Sequence, residues 1–173
     1  MGTQAREVAE WGAVIGGGFH RSLLAAASGI DADSLSACLK RLVQSHLLRR
    51  VPDAVSERYD FRHALQQEAA QQVMLRGVAR SRHVAVANAI LNGFPNLAAE
   101  PERLARHFGE AGDTEQELNY RIVDAERAIS KGAYQEAMAE IDAASIYSAQ
   151  RKSAPSANAW SFGFASPKAM SIW

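Results

Sequence analysis

A mainly α-helical chain interrupted by one small β-hairpin is the fold class that the sequence predicts, and three observations predict it. Apolar residues recur at three- and four-residue spacing through most of the chain. Two short strand-like runs, LLRRV and RYDF, bracket a turn that contains Pro52. Beyond Pro95, alanine-rich helical segments follow one another across short glycine-containing breaks. With 173 residues, of which 47% are hydrophobic and 22% charged, the composition suits one or two small domains with real cores.

The first helix is expected from Ala5 to Ile15, stopped by Gly16-Gly17-Gly18, because residues without a Cβ weaken a helix and readily take positive φ. A second helix is expected from about Phe19 to Ala27, ended by Ser28-Gly29, with Phe19 as the anchor that packs it into the core. The clearest amphipathic segment runs from Asp33 to Ser45, where Leu35, Cys38, Leu39, Leu42 and Val43 share one face. Asp31 and Asp33 place negative charge at its N-terminus, where the helix dipole favours it. The hairpin follows, with Pro52 to Ser56 as a loose tip. Three helices and then a two-stranded hairpin is the order of a winged helix-turn-helix.

Further helices are predicted from His63 to Leu75 and from Arg80 to Leu91, the latter with Val84, Ala87, Ile90 and Leu91 on one face. Asn92-Gly93 and Pro95-Asn96 then break the chain and suggest a domain boundary, giving a winged-helix domain with trailing helices over 1–92. Pro101 suits a helix start. Leu104, Phe108 and Ala111 line that helix, which Gly112-Asp113 ends. Thr114-Glu115-Gln116-Glu117 reads as a capping box opening the next helix, with an apolar row of Leu118, Ile122, Ala125 and Ile129. Gly132 separates it from a third row, Tyr134, Ala137, Met138, Ile141 and Ala144. Residues 100–150 therefore read as the start of a tetratricopeptide-like array, whose units bury their apolar faces only by stacking. The last stretch, 153–173, carries a single charge, Lys168, and scattered aromatics. It is expected to be disordered or to be non-native sequence joined to a truncated chain.

Nineteen basic and nineteen acidic residues leave no net charge, so no global field draws the protein to nucleic acid or an anionic membrane. The N-terminus shows neither a signal peptide nor an apolar span, and Arg6 stands where myristoylation needs Ser or Thr, so a cytoplasmic protein is expected. The lone Cys38 reads as a core thiol. No two of His20, His46, His63, His83 and His107 are three or four residues apart, so no zinc spacing exists. VIGGGFHRSLL lacks the lysine and hydroxyl of a phosphate loop, and Arg21 stands where a dinucleotide fingerprint needs its third glycine. No enzyme is expected.

Several segments together carry a family resemblance: WGAVIGGGFHRSLLAAASGI, LSACLKRLVQSHLLRR, YDFRHALQQEAA, LARHFGEAGD and SKGAYQEA. They resemble the region that follows the nucleotide-binding domain in bacterial STAND-class AAA-type signalling ATPases. These include large transcriptional regulators and adenylate/guanylate cyclase-like multidomain proteins. The resemblance spans roughly residues 5 to 150. It implies a non-catalytic regulatory fragment that relays nucleotide state to a helical repeat array, with a missing ATPase domain and further proteins as partners. No cofactor is implied for this chain itself; ADP or ATP would be held by the parent protein. In this class a histidine after the wing contacts the ADP phosphates, and related NB-ARC proteins carry a Met-His-Asp triplet there. Here the triplet is Arg62-His63-Ala64, so His63 matches while the methionine and aspartate do not. Arg62 beside it would add positive charge at the phosphate. The alternative for His63 is a purely local packing role.

DNA binding is the rival reading, because a winged helix commonly reads DNA. Its recognition helix would be Asp33 to Ser45, presenting Lys40, Arg41 and Gln44, with Arg49, Arg50 and Arg58 in the wing. Two carboxylates at the helix start, Asp31 and Asp33, oppose contact with phosphates.

Overall fold

The computed structural model describes residues 2–52, 57–130, 138 and 141. The hairpin tip from Asp53 to Ser56, the row through Tyr134, Ala137 and Ala144, and the tail 153–173 lie outside the described residues. Among the described residues the chain is mainly helical with one small antiparallel sheet.

Helix α1 (Thr3–Ile15) is the central element: Val8, Ala13, Val14 and Ile15 are fully buried, and it packs against four later helices. It ends at Gly16, whose φ of 96° closes the helix with an N–H donated to the Gly12 carbonyl. The chain does not restart as a helix at Phe19, contrary to the sequence expectation. Phe19–His20 instead form strand β1, pairing antiparallel with Tyr59 and Arg58. Two residues are too few to show a period of two, and the exposed edge of the hairpin supplies partners that their backbone groups would otherwise lack. Gly18, at φ 62°, turns the chain into this strand.

Helix α2 (Arg21–Ser28) begins where the Arg21 N–H donates to the Glu57 carbonyl, and ends at Gly29. Helix α3 (Ala32–Gln44) is capped by Asp31, whose carboxylate accepts from the Ser34 N–H at 2.9 Å. That amide, and then the Ser34 hydroxyl, hold the Asp31 carboxyl below its ordinary range. Leu35, Cys38, Leu39 and Leu42 form the buried row, as the periodicity predicts. The Leu47 N–H donates to the Leu42 carbonyl across the turn into β2 (Leu48–Val51), which pairs with β3 (Arg58–Phe61). The sheet order is β1-β3-β2. Phe19 packs on Tyr59 and Phe61 at ring separations of 6.2 and 6.5 Å, fixing the sheet to the helical core.

Helix α4 (Ala64–Gln72) is shorter than the predicted 63–75, and α5 (Arg76–Gly93) begins four residues before the expected Arg80. A one-turn helix, α6 (Pro95–Ala98), fills the break. Helices α7 (Pro101–Ala111) and α8 (Thr114–Ser130) then form an antiparallel pair. The breaks near 92–100 separate helices but not cores: Leu104 and Phe108 share one buried cluster with Val86, Ala87, Ile90 and the residues of α1 to α3.

The start of α8 differs in detail from the expected capping box. Asp113, not Thr114, supplies the cap, accepting from the Gln116 N–H at 3.1 Å. The Glu117 N–H, which a Thr114 capping box would have served, donates instead to the Asp113 carbonyl at 3.0 Å. The buried face is also rotated: Glu117 and Ala125 are buried, whereas Ile122 and Ile129 are exposed. Gly109 of α7 leaves the space that Glu117 occupies, and Glu117 accepts from Arg121 one turn on. No helix among the described residues is long and apolar enough to cross a membrane.

Candidate functional site

The residues singled out for a phosphate contact lie at one surface end of the molecule. Strand β3 ends at the buried Phe61, and the chain then emerges, leaving Arg62 and His63 exposed. His63 is the residue before α4, extended at φ −135° and ψ 136°, and its imidazole makes no capping bond. The first turn of α4 and the side chains of Arg62 and His63 are therefore on the same corner. Such a corner offers an anion backbone N–H groups, a helix dipole and two cationic or hydrogen-bonding side chains. Ala64 follows, so no carboxylate stands beside the imidazole.

Helix α4 is unusual in having no buried residue. It is held from beneath by contacts with α1 and by Gln71, whose side-chain amide donates to the Ala13 carbonyl at 2.7 Å. Its other side leaves Leu65 77% exposed and Val73 67% exposed, two turns apart, with Leu75 76% exposed just beyond. Arg62 and Arg76 flank this apolar strip and are both exposed. These exposed apolar side chains are available for contact with another surface. The sequence reading placed His63 here but not the strip, because the predicted helix gave no sign of which face α1 would cover.

The residues named for DNA recognition are only partly gathered. Lys40, Arg41 and Gln44 share the exposed face of α3. The wing cations are engaged: Arg49 pairs with Asp60 and Arg50 with Glu57, each at 2.8 Å. Arg58 is half-buried against Gly18, its Nε covered and without a hydrogen-bond partner. Asp31 and Asp33 stand at the helix start. The result is a wing whose charge is largely neutralised.

Two clusters emerge that sequence spacing did not indicate. Arg82, nearly buried, donates to Glu10 at 2.8 Å and lies over the Trp11 ring at 5.0 Å, joining α5 to α1. His83 and His107, 24 positions apart and absent from any local spacing, meet with their Nδ1 atoms 3.0 Å apart between α5 and α7. Burial, followed by the nearby Arg106 guanidinium, pushes His83 down to about 4 and His107 down to about 3. Among the described residues no group of three or more His, Cys, Asp or Glu side chains is placed to hold a metal ion. Compared with protein-family models, with curated proteins and with solved structures, the chain gives no match.

Proposed function

We propose that this chain is a non-catalytic regulatory module of a STAND-class ATP-binding signalling protein. In this reading residues 3–93 are a winged helix that docks on a nucleotide-binding domain through α4. Helices α7 and α8 open a tetratricopeptide-like array that carries the nucleotide state onward. His63, with Arg62 beside it, reaches the phosphates of ADP held by that domain.

The observation that carries the reading is α4, a helix anchored on one side that exposes Leu65 and Val73 on the other, next to the Glu68–Gln72 hydrogen bond, with His63 at its N-terminus. Burying Leu65 or Val73 against a partner would contribute up to roughly 1.5–3 kcal/mol each, which is enough for a stable domain contact when several such residues act together. The element order and the β1-β3-β2 sheet support the winged-helix part. The antiparallel α7–α8 pair, closed at Gly112, supports the repeat part. With Ala64 in place of an acid, the imaginable phosphate contact consists of imidazole, Arg62 and helix amides alone.

The second reading, DNA recognition by α3, is favoured by the exposed Lys40, Arg41 and Gln44. It is disfavoured by the neutralised wing and by Asp31 and Asp33 next to where phosphates would lie. The paired substitution Leu65→Glu and Val73→Glu separates the two. It should abolish binding to the parent protein's phosphate-loop ATPase domain in a calorimetric titration while leaving the helical circular dichroism unchanged. Undiminished binding would remove α4 as the docking face. Salt-sensitive binding of random duplex DNA at physiological ionic strength would move the assignment to the second reading.

A further inference from the structure

The buried imidazole pair has no part in the nucleotide reading and stands independently of it. His83 of α5 is 8% exposed and His107 of α7 is fully buried. Their rings lie 5.2 Å apart between centroids, and the Nδ1 atoms are 3.0 Å apart. Arg106, at the surface, donates from Nη2 to the Ile15 carbonyl at 2.8 Å, and the same nitrogen lies 3.3 Å from His107 Nε2. These contacts join three elements: α5, α7 and the C-terminal end of α1.

The hydrogen-bond chemistry assigns the tautomers. A guanidinium only donates, so His107 Nε2 must accept and His107 carries its hydrogen on Nδ1. That Nδ1–H donates to His83 Nδ1, and His83 therefore carries its hydrogen on Nε2. One arrangement of two neutral rings satisfies both contacts. A proton added to either ring breaks it. If His83 is protonated at Nδ1, His107 must accept there and turn its hydrogen to Nε2, against Arg106. If His107 is protonated, Nε2–H faces Arg106 directly. Either way the guanidinium loses its acceptor on the ring, and a charge is left among Leu104, Phe108, Val86 and Ile90.

We propose that His83, His107 and Arg106 form a proton-released latch that holds α7, and with it α8, against α5 and the end of α1. The charged groups around it favour release. From α7, Arg106 and Arg103 both oppose protonation of the closed pair, and among the described residues no carboxylate offsets them. Glu102 and Glu110 of the same helix act on Arg106 rather than on the rings. On α5, Arg82 is tied to Glu10 of α1. On α8, Glu117 is engaged by Arg121.

The sign follows from which state binds protons. Both rings titrate well below their ordinary 6.5 while the latch is closed, and near 6.5 once α7 has moved away. Above about pH 7 both states are neutral and the latch contributes fully. Below about 6.5 the open state takes up protons that the closed state does not, so each pH unit favours opening by about ten-fold per ring. Between about pH 7.5 and 5 the opening equilibrium should rise about 10³-fold for the two rings together.

Amide hydrogen exchange of the full chain at about pH 7.5 and 5, corrected for intrinsic rates, reads this directly. Protection of α7 and α8 should fall by two to three orders of magnitude while that of α3 changes by less than about ten-fold. In the His83→Gln and His107→Gln double variant the pH dependence of α7 and α8 should disappear. Parallel loss in α3 and α7, or a double variant that keeps the wild-type dependence, would overturn the latch. Imidazole ¹⁵N shifts of the wild-type protein give a test that survives a variant that fails to fold. They should report His107 as the Nδ1–H form and His83 as the Nε2–H form, and ordinary titration of both near 6.5 in the folded protein would overturn it.

Discussion

Replacing Gly18 by alanine tests why three glycines stand between α1 and β1. Gly18 sits at φ 62°, a left-handed conformation that costs an L residue about 1–2 kcal/mol. An added Cβ would also lie 2.7 Å from Cζ of Arg58. The guanidinium is the end of a flexible chain and can move, but it is packed into the turn, and such overpacking costs on the order of 1–3 kcal/mol. The sum for Gly18→Ala is about 3 kcal/mol of destabilisation. Gly17 is the internal control: a Cβ there meets nothing within 4 Å, and its φ is not in the left-handed region. Gly17→Ala should be neutral or stabilising by up to about 1 kcal/mol, through the unfolded chain. In urea unfolding followed by circular dichroism, with a slope of about 2 kcal/mol per molar, Gly18→Ala should lower the midpoint by about 1.5 M. Equal midpoints for the two variants would refute the assigned role of Gly18.

Phe19→Ala removes a fully buried ring that joins β1 to Tyr59 and Phe61, and should cost about 3–5 kcal/mol in the same assay; a loss under about 1 kcal/mol would mean that the ring is not the anchor. Glu10→Ala leaves the nearly buried Arg82 cation without a counter-charge, facing only the Trp11 ring and the weakly accepting Met74 sulfur, and should cost about 3 kcal/mol. Replacing both Glu10 and Arg82 by methionine should cost much less, because no charge is then stranded; an additive loss in the double variant would show that the pair does not act as a unit.

Much of the architecture is legible in the residues. The α3 periodicity carries the buried row Leu35, Cys38, Leu39 and Leu42, and LLRRV with RYDF carries the hairpin, because each element presents one face to the core and repeats the fact several times. Elements without repetition are not legible. β1 is two residues long and exists because β3 offers it an edge. The face that α8 buries is set by Gly109 making room for Glu117, which no pattern of apolar residues announces. At the candidate site, His63 was visible through its resemblance to a family motif, whereas the exposed strip of Leu65 and Val73 required knowing which side of α4 rests on α1. The His83–His107 contact spans 24 positions and two helices, so local spacing carries no trace of it.

The central claim is that the α4 corner contributes to an ADP site made with a second domain. Its most direct test is calorimetric titration of ADP into the complex of this chain with the parent protein's phosphate-loop ATPase domain, using wild type and His63→Ala. Loss of one hydrogen bond to a charged phosphate should weaken ADP binding by about ten-fold or more, with no binding to this chain alone. Equal ADP affinities for wild type and His63→Ala would contradict the account.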